Sequence, residues 1–374
     1  MSQSYQRVSQ RVIRAMPKAE VHIHLEGAIE LSDLLTLAAE TGSPLPGPAA
    51  TLFDIGTHVQ PAAPSELSAY LRFLDWEGSL HHTHEQVVRT AYRFAARQSA
   101  SGILYTDVIV NPTHWGDWNA RLLDLLAALR EGFDAAEADG LCAVNVCVSL
   151  DRGQSQSEAV ALATLLVTRR PGRVVALSVD GDERVSGRTG AKFAEAFDIA
   201  RRGDLHRTVH AGESSGPEGI WDAITLLHAD RIDHGVEAVS DERLMDHLAQ
   251  SGIPVGVCPT SNLTLGLAED IDSHPVRHLL DRGVTVTINT DDPAPLGTRL
   301  EAEWWMCADA FGWDFSRVTD LARTSFAASY ADESQRVALD SALDGFIARE
   351  RGVAQVQVVP RDQDVTAAET AVPA

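Results

Sequence analysis

Residues able to bind a metal or carry a proton stand at four separated places in the chain, each at the end of a short apolar run. VHIHLEGAIE (21–30) holds His22 and His24, TVHAGE holds His210 and Glu213, RIDHG holds His234, and INTDDP holds Asp291 and Asp292. In an extended strand successive side chains point to opposite faces, so His22 and His24 share one face while Val21, Ile23 and Leu25 take the other. Two imidazoles on one strand end can grip one metal ion. One such pair means little in a chain with 14 histidines; the same kind of residue at three further strand ends carries the argument.

His22, His24, His210 and Asp291 together offer three nitrogens and one oxygen, a set that suits Zn²⁺ and leaves room for a water, with iron and cobalt open on ligand type alone. Barrel hydrolases with two metals commonly bridge them with a carbamylated lysine, and neither VALSVDGDE nor TVHAGE contains a lysine, so one ion is expected. Such an ion lowers the pKa of its water from about 15.7 to about 7 and makes a hydroxide nucleophile available. His234 is the candidate base, no motif requiring it as a ligand. Glu213 is the candidate acid, or else a carboxylate that orients His210. Asp292 is a candidate substrate contact, or a cap on the loop before Pro293. Gly181 in VDGDE can bring a backbone N–H to a ligand, or serve only the turn.

These residues need a scaffold that gathers strand ends. Eight short runs read as strands: 20–25, 103–110, 143–150, 174–180, 206–211, 231–235, 253–259 and 284–290. Helical patterns separate them, such as NARLLDLLAALREGFDAAEADG with its glycine stop and DERLMDHLAQSG, which opens on acids. Eight strand–helix alternations point to a closed (β/α)8 TIM barrel, whose chemistry sits at the C-terminal strand ends. Extra helices are expected between strands 1 and 2 (LSDLLTLAAETG, SELSAYLRFLDWEGSL) and after strand 8 (RLEAEWWMCADAFGWD, VTDLARTSFAASYA, ESQRVALDSALDGFIARE). The chain reads as a single barrel domain over 1–356, with a loosely packed, flexible tail over 357–374.

Composition narrows the partners. A formal net charge of −22 argues against a nucleic-acid partner, which needs a field of Lys and Arg, and favours a small-molecule substrate. Four irregularly spaced cysteines, no leader segment and no long apolar run point to a reduced, cytoplasmic protein away from the membrane. A homo-oligomer is neither required nor excluded. His81, His82 and His84 in SLHHTHE, the pair His274 and His278, the pair Trp304 and Trp305, and Cys258 all read as structural or solvated residues.

PKAEVHIHLEGAIE, SVDGDE, VHAGE, DHG, CPTSN and INTDDP, in this order from residue 17 to about residue 297, resemble the motifs of the adenosine and adenine deaminases, a group of zinc-dependent amidohydrolases. The resemblance implies a barrel with one Zn²⁺ on His22, His24, His210 and Asp291. It implies that Glu213 protonates purine N1, that His234 activates the water and Asp291 orients it, and that Gly181 and Asp292 contact N3 and N7. The reaction would convert a 6-aminopurine, as adenosine or an adenosine-like nucleoside, to its 6-oxo form with release of ammonia. Free adenine is the alternative substrate; other single-zinc hydrolysis of a cyclic amide or ester, or purine binding without turnover, are the remaining readings. Many adenosine deaminases carry HLDG, whose aspartate reaches the ribose, where this chain has Glu26, so Glu26 is the candidate sugar contact. HLEG followed by Glu30 looks more like the adenine type, and NTDDP more like the adenosine type. Relatives often have a glutamate and an arginine where Asp107 and Ile109 stand, a change expected to reshape the pocket wall. YLRFLDWEGSLHH is expected to form the lid over the N9 substituent.

Overall fold

The computed structural model describes residues 7–53 and 64–357. Eight parallel strands run in sequence order: β1 (Lys18–His24), β2 (Ile103–Val110), β3 (Ala143–Asp151), β4 (Val174–Asp180), β5 (His206–Ala211), β6 (Arg231–His234), β7 (Val255–Val257) and β8 (Val286–Ile288). Helices follow the strands and cover the sheet from outside, so both faces of the strands are buried, and β1 is buried along its whole length. The (β/α)8 barrel expected from the alternation is the fold observed. β8 is shorter than the run 284–290: the Asn289 N–H still donates to Val257 O at 2.9 Å, and the chain leaves the ladder at Thr290. There the Thr290 N–H donates to Glu20 Oε1 at 3.0 Å, and Asn289 Oδ1 accepts from the Val21 N–H at 3.0 Å.

The ring closes at residue 291. Ile23 and Asp291 form an isolated parallel bridge, in which His24 N donates to Asp291 O at 2.8 Å and Asp291 N donates to His22 O at 3.2 Å. β1 departs from strict alternation just before this point. Glu20 pairs with Thr106 and Ile23 with Val108, three steps against two, which places a bulge beside His22. Glu20 therefore reaches Gln98 of the helix His84–Ala100, while His22 and His24 both turn to the middle of the barrel.

The opposite end of the lumen is plugged by charge. Asp107 Oδ2 accepts from Arg231 Nη1 and from the Tyr330 N–H, each at 2.9 Å, and Oδ1 accepts from Tyr105 Oη at 2.7 Å. Ile109 packs with Cys147, Ala176 and Tyr330. The expectation that Asp107 and Ile109 shape the pocket wall is corrected: both are buried in the barrel floor, below the site.

Residues 26–102 hold the expected extra helices, among them Leu31–Thr41 and Pro64–Ser79, around a small core of Ile29, Leu34, Leu37, Ala38 and Leu80. After β8 come the helices Leu300–Phe311, Phe315–Ala328 and Glu333–Gln357. Residues 358–374, nearly all of the expected tail, lie outside the described residues. His81 hydrogen-bonds Thr90, and His274 caps the helix Pro275–Asp281. Trp304 donates to Ile288 O at 3.1 Å. The four cysteines are buried and unpaired. Among the described residues no helix is long and apolar enough to cross a membrane.

Arg231 and Asp107 are both 0% exposed, so removing one partner strands the other charge in a dry interior. Arg231→Met is expected to lower unfolding free energy by about 3–5 kcal/mol, and adding Asp107→Leu to recover part of that loss, as read from urea midpoints. A single-variant loss below about 1 kcal/mol would contradict this account of the floor.

Candidate active site

Four strand ends bring five polar groups to one point. His22 Nε2 and His210 Nε2 are 3.2 Å apart, and His24 Nε2 and His210 Nε2 are 3.0 Å apart. Asp291 Oδ1 lies 3.3 Å from His22 Nε2 and 3.4 Å from His24 Nε2. Ligand atoms sharing a tetrahedral zinc centre sit roughly 3.3–3.6 Å from one another, so these four atoms are already close to that spacing. His234 crowds the same centre: His22, His210, His234 and Asp291 also offer ligand atoms within 4.8 Å of one another. Its Nε2, however, faces the other carboxylate oxygen, Asp291 Oδ2, at 3.9 Å, and lies 3.5 Å from Glu213 Oε1. Contacts of 3.0–3.4 Å thus link His22, His24, His210 and Asp291, with His234 beside them. Both His234 and Asp291 have φ of 65°, a left-handed backbone that only surrounding structure holds in place for such residues.

Hydrogen bonds back His22, His234 and Asp291, and carboxylates stand near the far nitrogens of His24 and His210. His22 donates through Nδ1 to Gly256 O at 2.9 Å, which leaves Nε2 free for the centre. His24 Nδ1 lies 3.7 Å from Asp180 Oδ2, and His210 Nδ1 lies 3.6 Å from Asp233 Oδ2. Ser261 Oγ donates to Asp291 Oδ2 at 2.7 Å and so turns Oδ1 toward the histidines. Asn262 Nδ2 is 3.3 Å from His234 Nδ1.

Electrostatics favour a cation here. Burial opposes the charged form of His22, yet Asp233 and Asp291 outweigh it and raise its pKa to about 9. The centre thus attracts positive charge, and the donor set fits a divalent ion. Burial lowers His24 and His234 each to about 4, so these imidazoles are neutral near pH 7. Burial, then Asp291 and Glu183, push Glu213 up to about 8, so it holds its proton near neutrality. Burial and the adjacent Asp291 raise Asp292 as well.

Over this centre lies a cavity of about 740 Å³, its open mouth included. His24, His210 and Asp291 form its base, and Glu213, His234, Gly181 and Asp292 its polar wall. Tyr70, Leu71 and Leu74 of the helix Pro64–Ser79, with Leu265 and Leu296, form an apolar wall, so part of YLRFLDWEGSLHH does border the cavity. Gly181 has a φ of +99°, and a Cβ there would come 2.9 Å from Asp151 Oδ2. Gly27 is just as constrained, since a Cβ would fall 1.8 Å from Asp292 Oδ1.

A sequence model of the adenosine deaminase family matches residues 17–346. The chain belongs to that family. Its members are metal-dependent hydrolases acting on C–N bonds, and the chain is a deaminase of this type. It is 32% identical over 341 residues to an adenine deaminase of Cupriavidus metallidurans, covering 89% of this chain and 92% of that protein. It is equally 32% identical over 331 residues to an adenosine deaminase of Klebsiella pneumoniae, covering 87% and 97%. The fold matches an amidohydrolase of Burkholderia ambifaria with bound zinc, at a TM-score of 0.78 and 23% identity over 95% of this chain and 98% of that one.

Of the residues singled out from sequence, His22, His24, His210, Glu213, His234, Asp291, Asp292 and Gly181 meet at this one place. Glu26 does not. It is 1% exposed in the wall behind the cavity, where its Oε1 accepts from the Asn111 N–H at 2.9 Å and from Trp115 Nε1 at 2.5 Å. Both donors bind Oε1, and Oε2 is buried without a hydrogen-bond partner among the described residues, so Glu26 stands behind the cavity wall with one oxygen uncommitted. Sequence reasoning gave no role to Ser261 and Asn262, although both lie in CPTSN. It also passed over Asp233, whose signal was an acid inside a four-residue buried strand.

Proposed function

We propose that the chain holds one Zn²⁺ through His22, His24, His210 and Asp291 and hydrolyses the C6 amino group of a 6-aminopurine, adenosine or a similar nucleoside. The observation that carries the reading is the packing of three imidazole nitrogens and one carboxylate oxygen at 3.0–3.4 Å beneath a cavity walled by a protonated acid and a neutral imidazole. When bound, zinc supplies a Lewis acid that brings the pKa of a coordinated water near 7, about nine units below bulk water.

The chain's own groups carry the protons. Glu213, kept protonated by burial, donates to purine N1, which makes C6 more electrophilic. His234, neutral and 3.5 Å from Glu213, accepts the proton released by the attacking water. The purine C6 becomes tetrahedral, the C6–N bond breaks with a proton delivered to the leaving nitrogen, and the 6-oxopurine and ammonia leave. Asp292 and the Gly181 N–H hold N7 and N3 and so fix the ring over the centre. Asp291, its Oδ2 tied by Ser261, keeps one oxygen for the ion.

The nucleoside reading is supported by NTDDP at residues 289–293 and by 32% identity to an adenosine deaminase over 87% of this chain. Adenine itself is the second reading, supported by HLEG at residues 24–27 and by equal identity to adenine and adenosine deaminases.

Zinc-loaded protein is expected to release ammonia from adenosine, with the absorbance shift from adenine to hypoxanthine chromophore, faster than from adenine. Turnover of neither would remove the reading. Glu213→Gln is expected to keep zinc while kcat falls by about 10² or more; near-normal turnover would take the acid role from Glu213. His24→Ala is expected to lose zinc, and His234→Ala to retain it while losing turnover. The reverse metal contents would exchange the two histidines' roles.

A further inference from the structure

Glu213 stands on the turn that leaves β5, and that turn is pinned from two neighbouring strand ends. Glu183 begins the short helix Glu183–Ser186 after β4 and is 2% exposed. Its Oε2 accepts the N–H of Glu213 at 3.1 Å and that of Ser214 at 3.0 Å. Its Oε1 accepts from Arg152 Nη2 at 3.0 Å. Arg152 follows β3 and is 4% exposed. The same Nη2 also donates to the His210 carbonyl, and Nη1 donates to Thr189 Oγ1 at 2.7 Å. One carboxylate thus grips the residues carrying the acid, while the guanidinium bound to it grips the backbone of the histidine at the centre. Between them Gly212 turns sharply, with φ of +69°, and a Cβ there would meet Ile220 at 2.4 Å.

A buried ion pair is an expensive way to fill space, and apolar residues of similar volume do so without the desolvation penalty. What an apolar pair cannot do is accept from two buried amides or donate to a buried carbonyl. We propose that Glu183, backed by Arg152, is a positioning residue: through the amides of residues 213 and 214 it fixes where the Glu213 carboxyl meets the substrate ring, without touching substrate itself. This rests on the acid role of Glu213 given above. The expected consequence is a loss in kcat more than in KM, because displacing a reacting group by about 1 Å can cost about 10² in rate while leaving most binding contacts in place.

Glu183→Gln is the test, since a glutamine must turn its NH2 either toward Arg152 or toward the two amides and so loses one side of the clamp. The variant is expected to fold, to hold zinc at the wild-type ratio, and to lose about tenfold or more in kcat with KM changed by less than about threefold. Hydrogen exchange at the amides of residues 213 and 214 is expected to accelerate. Arg152→Lys, which keeps the charge but loses the fork, is expected to fall between wild type and Glu183→Gln. A wild-type kcat in Glu183→Gln, or unchanged exchange at those amides, would overturn the proposal. So would loss of zinc or of folded protein in proportion to activity, which would mark a purely structural residue. An inactive wild type with accelerated exchange in the variant would instead overturn the deaminase reading and leave the clamp intact.

Discussion

Three imidazole nitrogens and a carboxylate oxygen linked by contacts of 3.0–3.4 Å in a buried place repel one another through their lone pairs unless positive charge sits among them. The barrel is built so that they cannot move apart. Asp291 is at once the residue that closes the ring of strands onto β1 and the oxygen that faces His22 and His24. The sheet cannot close without assembling the centre, and the centre cannot loosen without opening the sheet. The bulge before Ile23 belongs to the same construction, because it frees Glu20 to tie the helix layer while both histidines turn inward.

The acids near this point have separate duties set by their surroundings. Asp291, despite its burial, is held ionised by the histidines around it. Asp233 lies below, 3.6 Å from Arg231 Nε and from His210 Nδ1, with Thr208 Oγ1 donating to it, so it is anchored to the floor and directed at the imidazoles. Glu213 is protonated because the cavity wall is dry and Asp291 is near. Glu183 stays tied to Arg152. Under the proposed reading, carboxyl groups in one small volume are thus sorted into a metal-facing group, an orienting group, a proton donor and a backbone clamp, a division of labour that differences of environment make available.

Much of this was legible in the order of residue types. Each strand end that meets at the site announced itself as a polar break in an apolar run, as at His24, His210, His234 and Asp291, and the count of such runs specified the barrel. What stayed hidden depends on three-dimensional partners. Glu26 sits in a motif at the site, yet its Oε1 is bound by Asn111 and Trp115, residues far along the chain. Asp107 lies on a strand that leads to the site but pairs with Arg231 in the floor. Ser261 and Glu183 lie inside motifs that were read for other residues, and only the distances reveal that they act on Asp291 and on the Glu213 amides.

The most direct measurement is an anomalous difference map at the zinc edge from crystals of metal-loaded protein. A single peak bonded to Nε2 of His22, His24 and His210 and to Oδ1 of Asp291, with His234 outside the bonding distance of about 2.0–2.2 Å, is the predicted result. A peak bonded to His234 in place of His24, two peaks, or none at that point would contradict the account.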